Sequence, residues 1–456
     1  MPRLLLKGRI LAKGGITMYK SNFKPNIKGR ILAKGGITMY KSNFKPIFIG
    51  LISILFLLGV FATSTIALEG VAGEVIKTVE ELKELEAKGL LSHGQVLSYI
   101  ELIKDFGLTI PIVKTTDRRL QFTASKTYVE YTEKNKGKAK IGPNDELLNY
   151  GGQGLPFPDV KPDDPQAGIK AAHNWDLRHT GDSAVMSNWD YLLTDGKGNV
   201  KNLGGLSNSI RFTRRTDRDP KPFLTGAPGE VWFKYLIQFS KPFASKGLGQ
   251  VQIKYEDPKR ESDLYVYVPG LRRNVRVGGG NRCDCLGGFV FNMDDSDLWS
   301  GDTTKFKWKL LEVREKLTNS WHSWEDVKAG KDYIPKAHWT KQILERRKVW
   351  IIEQTPKDPA YCYSKRIYHQ DPENWIFTFM EMYDRLGNLW KTETQNHSIF
   401  PNPEEAGGGY LSNNISGDTL DHKIFEGGPY YHHDIQVNPN ISADMFTLDA
   451  LRRAGR

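Results

Sequence analysis

The residues best suited to chemistry lie near the C-terminus, in the run 430–434 (YYHHD), with His422 shortly before it. Imidazole and carboxylate groups are common metal ligands, so the run is compatible with an exported metal-dependent hydrolase that uses His432, His433 and Asp434. Adjacent residues of a strand point to opposite faces, which weakens a site shared by the two histidines. A surface loop is therefore the favoured interpretation, and no metal site is predicted.

A second acidic run, residues 294–297 (DDSD), has some resemblance to a calcium loop, but it lacks the glycine and the distal glutamate of an EF-hand. It is predicted to be a solvated turn or a salt-bridge partner for Arg272 and Arg273. The glycines at 278–280 are not followed by a helical pattern, so phosphate binding is not indicated. The sequence has no G-x-S-x-G or H-E-x-x-H motif and no cysteine and histidine nucleophile arrangement. No catalytic residue, enzyme activity or cofactor is predicted.

Three cysteines, Cys283, Cys285 and Cys362, are the candidates for a disulfide. A Cys-x-Cys bridge would close a strained ring, so a bond from Cys283 or Cys285 to Cys362 is the better prediction. A metal site is the alternative, but it would need a fourth soft ligand, and no histidine lies near the Cys-x-Cys pair. Disulfide formation is typical of proteins exported to an oxidising compartment.

The N-terminal residues are predicted to be leader sequence rather than part of the fold. Residues 7–25 recur without a change at 28–46, which is expected of a recent duplication and not of a packing unit under structural selection. We therefore interpret 1–38 as a duplicated, mis-annotated leader, with the true start at Met39. The lysines, apolar run and small residues of 39–67 then form the pattern of a signal peptide. An uncleaved N-terminal anchor is the alternative.

Charge argues against a nucleic-acid-binding role. The whole chain has 64 Lys and Arg against 53 Asp and Glu, a formal net charge of +11. Eleven of the basic residues and none of the acidic ones lie in residues 1–67, so the remainder is balanced at 53 against 53. A protein that binds nucleic acid through a general positive field would keep an excess of basic residues.

Two helices are predicted in the segment 68–107. The spacings Thr-x-x-Glu from Thr78 and Ser-x-x-Gln from Ser92 are those of capping boxes, and each is followed by apolar residues at mostly helical intervals. The segment 108–170 is rich in proline and glycine, so it is predicted to be an extended arm, with a candidate strand at 127–132.

From residue 171 to the C-terminus, the sequence predicts strand after strand. The runs are rich in β-branched and aromatic residues and are separated by turn signals at hairpin spacing. They are 175–179, 189–193, 208–216, 231–240, 249–255, 263–268, 272–277, 307–316, 349–353, 363–369, 375–383 and 389–394. Gly-rich coil is predicted after Asn396, and a short helix at 447–453. The predicted fold class is mainly β (α+β), with a large twisted antiparallel sheet that forms an incomplete barrel and the N-terminal helices packed on it.

Two of these strands have a strongly aromatic face. Because alternate residues of a strand share a face, one side of 231–239 holds four apolar residues, and one side of 375–379 holds three. Alternating aromatic residues are also what an ordinary core shows. The candidate lining of an apolar cavity consists of Phe233, Tyr235, Ile237, Phe239, Trp375, Phe377 and Phe379.

Several sequence segments follow one another in a characteristic order between residue 142 and the C-terminus. They are LPFPDVKPDDPQAGIKAAHNWDLRHTGD, YVYVPGLRRNVRV, DDSDLWSGDTTKFKWKLLEVRE, VWIIEQ, YSKRIYHQDPENW, YDRLGNLWK and FTLDALRRAGR. They resemble the domain of unknown function 1329 family, which implies an exported protein of the outer-membrane lipoprotein-sorting type with a fold similar to the LolA/LolB carriers. That fold is an incomplete barrel over helices, with an apolar concavity for acyl chains. The Cys-x-Cys insertion after Val277 departs from the family pattern, and the resemblance carries over no catalytic residue.

Three functions stay open from the sequence. The favoured one is an envelope carrier or sorting factor that binds a hydrophobic ligand, a lipid or a lipoprotein acyl chain, in the cavity. The second is a structural or accessory partner of an outer-membrane barrel or an efflux-type exporter, without a ligand. The third is the metal-dependent hydrolase. All three imply export across the inner membrane, to the periplasm or outer membrane of a Gram-negative type of bacterium, and none involves nucleic acid.

Overall fold

The computed structural model describes residues 74–119, 124–195, 197–225, 230–278, 282–285 and 288–455. The predicted leader (1–38) and signal peptide (39–67) lie outside these residues. The described chain is mostly β, with a few helices. The helices are α1 (Val79–Ala87), α2 (His93–Lys104), α3 (Lys126–Asn135), α4 (Ala167–Asp176), α5 (Trp324–Lys328) and α6 (Leu448–Ala454).

The strands in chain order are β1 (Val75–Ile76), β2 (Ile110–Val113), β3 (Lys140–Ile141), β4 (Leu147–Leu148), β5 (Ser183–Thr194), β6 (Val200–Arg211), β7 (Val231–Lys241), β8 (Gly249–Tyr255), β9 (Asp263–Val268), β10 (Arg273–Val277), β11 (Phe306–Asn319), β12 (Tyr333–Ile334), β13 (Trp339–Thr340), β14 (Leu344–Pro356), β15 (Lys365–Asp371), β16 (Ile376–Tyr383), β17 (Leu389–Pro401), β18 (Tyr410–Asp421) and β19 (Glu426–Val437).

One large sheet dominates the fold and does not close into a barrel. Its main strands follow the order β11, β14 to β19, then β5 to β10, and each neighbouring pair in this series is antiparallel. The sheet thus consists of two meanders, joined where β19 pairs with β5. We call β5 to β10 the first meander, and β11 with β14 to β19 the second meander. A short parallel pair between β2 and β14 makes the sheet mixed. The predicted mainly β class with an open sheet is confirmed.

Helix α2 packs on one face of β16 and β17, and α1 packs against α2. Both begin with the predicted capping boxes, at Thr78 and Ser92. The Gly94 N–H donates to Glu381 Oε1 at 2.9 Å. An added Cβ at Gly94 would lie 2.6 Å from the same oxygen, so a larger residue would displace the Glu381 side chain.

The other face of the sheet carries α4, and we call it the cavity face. Trp175 of α4 packs on Phe377 of β16, with ring centroids 4.5 Å apart. Gly168 lies so close to β11 that a Cβ there would be 2.6 Å from the Trp308 carbonyl oxygen. These contacts belong to the largest apolar cluster, which also includes Tyr368.

Residues 288–302, which we call the covering segment, also lie on the cavity face. Phe289 contacts Trp189 of β5, with ring centroids 6.0 Å apart. The Val290 carbonyl accepts a hydrogen bond from Lys391 of β17. The covering segment therefore touches both meanders.

Helix α6 confirms the helix predicted at 447–453. Its Leu451 and the preceding Phe446 pack on Leu236 of β7 and Val251 of β8. Because alternate residues of a strand point to opposite sides, this helix covers the face of β7 that Ile237 does not occupy.

Several predicted elements are wrong. Residues 175–179, predicted as a strand, include the end of α4, and 127–132 lie inside α3. The stretch 108–170, predicted as an extended arm, therefore contains helix α3 and the start of α4. Residues after Asn396 are not coil but continue β17 and then form β18 and β19. Those two strands are rich in Asn, Ser, Gly and His, whose weak β propensity is overridden by pairing along both edges.

A β-bulge in β16 separates two of the predicted lining residues. His369 pairs with Phe379 while the next residue, Gln370, pairs with Phe377, so one residue of β16 is left over. Phe377 stacks on Tyr368, and Phe379 contacts His369. Tyr368 and His369 are consecutive strand residues, so the two phenylalanines lie on opposite faces. The prediction that they share a face is wrong.

Candidate functional site

A cavity lies on the cavity face, over the first meander. It leaves about 220 Å³ for the centres of water-sized molecules. Strands β5 to β8 form its floor, and β18, β19, the end of α4 and the covering segment border it. Its large apolar and aromatic lining residues include Met186, Trp189, Tyr191, Phe233, Ile237 and Phe289.

The antiparallel register arranges the floor in rows, because directly paired residues point to the same face. Ile237 of β7 pairs with Ser207 of β6, which pairs with Met186 of β5. The next row contains Tyr235, Ser209 and Gln252. The floor thus alternates aromatic or aliphatic side chains with small hydroxyl side chains, which leaves room above β6.

The last row is charged. Phe233 of β7 pairs with Arg211 of β6 on one side and with Lys254 of β8 on the other. All three residues line the cavity. The floor therefore passes from two cations at one end to uncharged rows farther along the strands.

An aromatic cluster closes the opposite end of the floor. Trp189 meets Phe239 edge to face, with ring centroids 5.5 Å apart. Phe289 of the covering segment stacks on Phe291 at 4.7 Å. Such ring pairs add stability beyond the area they bury, so this end is a firm apolar wall.

The structure brings together only part of the predicted lining. Phe233, Tyr235 and Ile237 line the cavity. Phe239 lies in the aromatic cluster behind it. Trp375, Phe377 and Phe379 are buried elsewhere in the second meander, where the first two pack in the cluster around α4.

Three pairs of an acid with an arginine hold the covering segment. Asp294 pairs with Arg282 at 2.6 Å, Asp295 with Arg366 at 2.6 Å, and Asp297 with Arg178 at 2.6 Å. The prediction of a solvated turn, or of a partner for Arg272 and Arg273, is therefore wrong. The run 294–297 is a structural clamp whose first two carboxylates are buried.

A disulfide holds the N-terminal side of the covering segment. Of the two predicted partners of Cys362, the structure pairs Cys283, with Cα atoms 5.8 Å apart. Cys285 is free and exposed. The bond joins the loop before the covering segment to the loop before β15, so both the disulfide and the Arg366 pair fix the segment to the second meander.

The wall formed by β17 and β19 is polar, and burial favours the neutral forms of its ionisable side chains Glu393 and His432. Burial, and the nearby carboxylates of Asp295 and Asp297, raise the pKa of Glu393 well above its ordinary value. Burial lowers the pKa of His432 to about 4. Both side chains line the cavity, and His432 is neutral near pH 7. Glu393 Oε2 and His432 Nδ1 have no hydrogen-bond partner among the described residues.

The histidine cluster does not converge on one point. His432 faces the cavity, whereas His433 Nε2 lies 2.8 Å from Asp190 Oδ2. Asp434 accepts a hydrogen bond from Ser187. Within residues 74–455, leaving aside the undescribed gaps, no group of three or more His, Cys, Asp or Glu side chains is placed to hold a metal ion. In the same part of the chain, no helix has both the length and the apolar character needed to cross a bilayer.

Sequence reasoning missed Arg211, Lys254 and Glu393. Arg211 stands in a basic cluster of the kind that usually lies on a solvated strand edge, and Lys254 and Glu393 stand in strands with other polar residues. Only the pairing register shows that Arg211 and Lys254 flank Phe233. Arg211 and Lys254 could have been found from the alternation of residues along β6 and β8, once the aromatic face of β7 is assigned to the interior.

Comparison with known proteins places the chain in a family. The family model described as "Protein of unknown function (DUF1329)" matches residues 86–452. The chain belongs to the DUF1329 family. No curated protein matches it.

Solved structures that match part of the chain include another protein of the DUF1329 family. A DUF1329 family protein from Desulfovibrio piger has 15% identity and a TM-score of 0.46, over 63% of this chain and 99% of that one. A domain from Vibrio parahaemolyticus, described as a candidate outer membrane lipoprotein-sorting protein, has 16% identity and a TM-score of 0.45, over 64% and 100%. A LolA superfamily protein from Nitrosomonas europaea has 15% identity and a TM-score of 0.36, over 60% and 94%.

Proposed function

We propose that this DUF1329 protein binds a hydrophobic ligand, a lipid or a lipoprotein acyl chain, in the cavity, and that it acts as a carrier or sorting factor of the cell envelope. The observation that carries the proposal is the cavity itself, whose lining combines large apolar side chains with a few polar groups. Ligand sites in proteins have this composition. Ordinary core packing would have filled the space, since interiors are close-packed.

The dimensions suit an elongated apolar group. Phe233 and Phe239 are six residues apart along β7. Trp189 of β5 belongs to the row of Phe239, because it pairs with Gly205 of β6, which pairs with Phe239. At about 3.3 Å for each residue, the rows are about 20 Å apart. Each CH₂ group removed from water contributes about 0.8 kcal/mol, so an acyl chain laid along this floor gains enough to offset its ordering cost.

The disulfide supports an exported location. Cys283 and Cys362 are joined in a protein of ordinary size whose core does not depend on many bridges. Such bonds persist in the periplasm and are rare in the reducing cytosol. We therefore place the proposed carrier in the periplasm or at the outer membrane, where it would hand its cargo to a partner.

Native mass spectrometry of the protein purified without detergent tests the proposal. We expect a lipid-sized adduct, or uptake of added palmitate by the bare protein. Tyr235→Asp places a charge in the cavity floor and should abolish the adduct, whereas Lys234→Asp, on the other face of the same strand, should retain it. A folded protein that carries no adduct and takes up no palmitate or other lipid would count against a carrier and favour a ligand-free accessory protein.

A further inference from the structure

The cavity contains two cations that form no ion pair with any carboxylate of the described residues. Arg211 and Lys254 line it, and they are only 7% and 8% exposed. Among the described residues, neither has an acidic partner at ion-pair distance, whereas the third cation of the wall, Arg178, is paired with Asp297 at 2.6 Å. Burying an unpaired charge costs free energy, which an incoming anion would recover.

Each of the two cations is held in place by groups on the cavity side. Arg211 Nη2 donates to the Arg178 carbonyl at 3.2 Å and to Thr180 Oγ1 at 3.3 Å. Lys254 Nζ donates to the Gly301 carbonyl at 3.3 Å. A guanidinium has five N–H donors and an ammonium has three, so most of these donors have no acceptor among the described residues.

The two charges are spaced to share one anion. Arg211 and Lys254 are both paired with Phe233, from opposite sides. Strands lie about 4.8 Å apart, so the two Cα atoms are about 10 Å apart and both long side chains can reach over the phenyl ring. A carboxylate or phosphate placed above Phe233 would be within reach of both cations.

The remaining acids of the wall leave this end positive. Asp297 is occupied by Arg178, and Asp176 accepts a hydrogen bond from Thr303 at 2.5 Å. Burial raises the pKa of Glu393, which favours its neutral form. Among the described residues, none of these three lining acids forms an ion pair with Arg211 or Lys254.

We propose that Arg211 and Lys254 bind the anionic head of an amphiphile whose apolar tail lies along β7 toward Trp189 and Phe289. The ligand class is a carboxylate or phosphate joined to a long hydrocarbon chain. This inference rests on the proposed function, because it presupposes a ligand in the cavity. It adds the chemistry and the direction in which that ligand lies.

Binding of matched ligands tests the assignment. Dissociation constants are measured by calorimetry for palmitate, hexadecyl phosphate, methyl palmitate and inorganic phosphate, each below its micellar concentration where one exists. We expect both anionic amphiphiles to bind about tenfold more tightly than the neutral ester, as for a charge-assisted hydrogen bond. We expect inorganic phosphate alone to bind far more weakly than hexadecyl phosphate, because it lacks the tail.

Variants then locate the effect. Arg211→Gln and Lys254→Gln should each weaken binding of the anionic amphiphiles about tenfold and change methyl palmitate by less than about twofold. Two variants are used because Arg211 also supports the 178–180 backbone, and thermal unfolding checks that each is folded. Lys234→Gln removes a cation from the other face of β7 and should leave the affinity for the anionic amphiphiles and for methyl palmitate unchanged.

The outcomes separate the two proposals. Equal affinity for palmitate and its methyl ester, unchanged in both glutamine variants, would overturn the headgroup site and leave the carrier function standing. Inorganic phosphate that binds as tightly as hexadecyl phosphate would overturn the amphiphile assignment. Failure of every lipid to bind the folded wild-type protein would overturn both.

Discussion

Arg366 Nη2 lies 2.6 Å from Asp295 Oδ1, and both side chains are buried, at 1% and 0% exposed. Arg366 also donates to Gln354 Oε1 and is surrounded by aromatic rings, including those of Tyr361 and Tyr363. The pair joins β15 to the covering segment. It therefore fixes the position of the segment that borders the cavity.

We expect Asp295→Asn to lower the free energy of unfolding by about 3–5 kcal/mol, because it leaves the Arg366 charge buried without a counter-ion. Urea unfolding at pH 7 measures the change. The matched control is Asp159→Asn, which breaks an exposed pair with Lys136 and should cost less than about 1 kcal/mol. Equal losses in the two variants would show that the Asp295 pair is not a buried clamp.

The disulfide yields a second prediction. Cys362→Ser removes a bond that closes a loop with a sequence separation of 79 residues. We expect a loss of about 2–5 kcal/mol in the free energy of unfolding, and the same loss when wild-type protein is reduced. Cys285→Ser, at the exposed free cysteine, should leave stability within about 0.5 kcal/mol of wild type. A loss in Cys285→Ser as large as that in Cys362→Ser would show that Cys362 pairs with Cys285 instead.

The buried histidine of the cavity wall predicts a pH dependence. Unfolding returns the pKa of His432 from about 4 to its ordinary 6.5. Between these values the unfolded chain is protonated at this residue while the folded protein is neutral, so unfolding takes up a proton and stability falls as the pH drops. The loss begins at pH 6.5 and reaches about 3 kcal/mol near pH 4.

We expect His432→Phe and His432→Asn both to remove this component, so that each variant gains stability relative to wild type as the pH falls from 6.5 to 4. The asparagine variant separates loss of the titrating group from gain of apolar burial. Urea unfolding of ligand-free protein at a series of pH values measures the difference. Parallel stability curves for wild type and both variants would show that His432 is not shielded from solvent.

The sequence predicts local features well because short-range chemistry determines them. The capping boxes at Thr78 and Ser92 form as predicted, and the alternation along 231–239 places Phe233, Tyr235 and Ile237 on one face. In each case, the residues that decide the structure are close neighbours in the chain.

The predictions that fail depend on distant residues. The bulge between Phe377 and Phe379 arises from pairing with β15, and it changes which face a ring occupies without a signal in β16 itself. Strands β18 and β19 are strands because of what pairs with their edges. The cation pair Arg211 and Lys254 is likewise a property of register across three strands. Periodicity within one segment does not contain this information.

Substitutions at two adjacent aliphatic residues of β7 should affect ligand binding and stability to different extents. Ile237 lines the cavity, while Leu236 packs under α6 against Phe446 and Leu451. We expect Leu236→Ala to lower the free energy of unfolding by about 2–5 kcal/mol, as for a core leucine, and to leave lipid affinity unchanged. Ile237→Ala should weaken binding of palmitate about tenfold or more, because it removes methylene contacts worth about 0.8 kcal/mol each.

Ile237→Ala should also cost less stability than Leu236→Ala, because its side chain borders open space rather than a filled core. Calorimetric titration with palmitate measures the ligand affinity of each variant, and urea unfolding measures its free energy of unfolding. Weaker binding in Leu236→Ala than in Ile237→Ala would place the tail on the α6 face. Because the two residues are neighbours on one strand, any general loosening of β7 would affect both variants, so only a difference between them reports on the face that the ligand contacts.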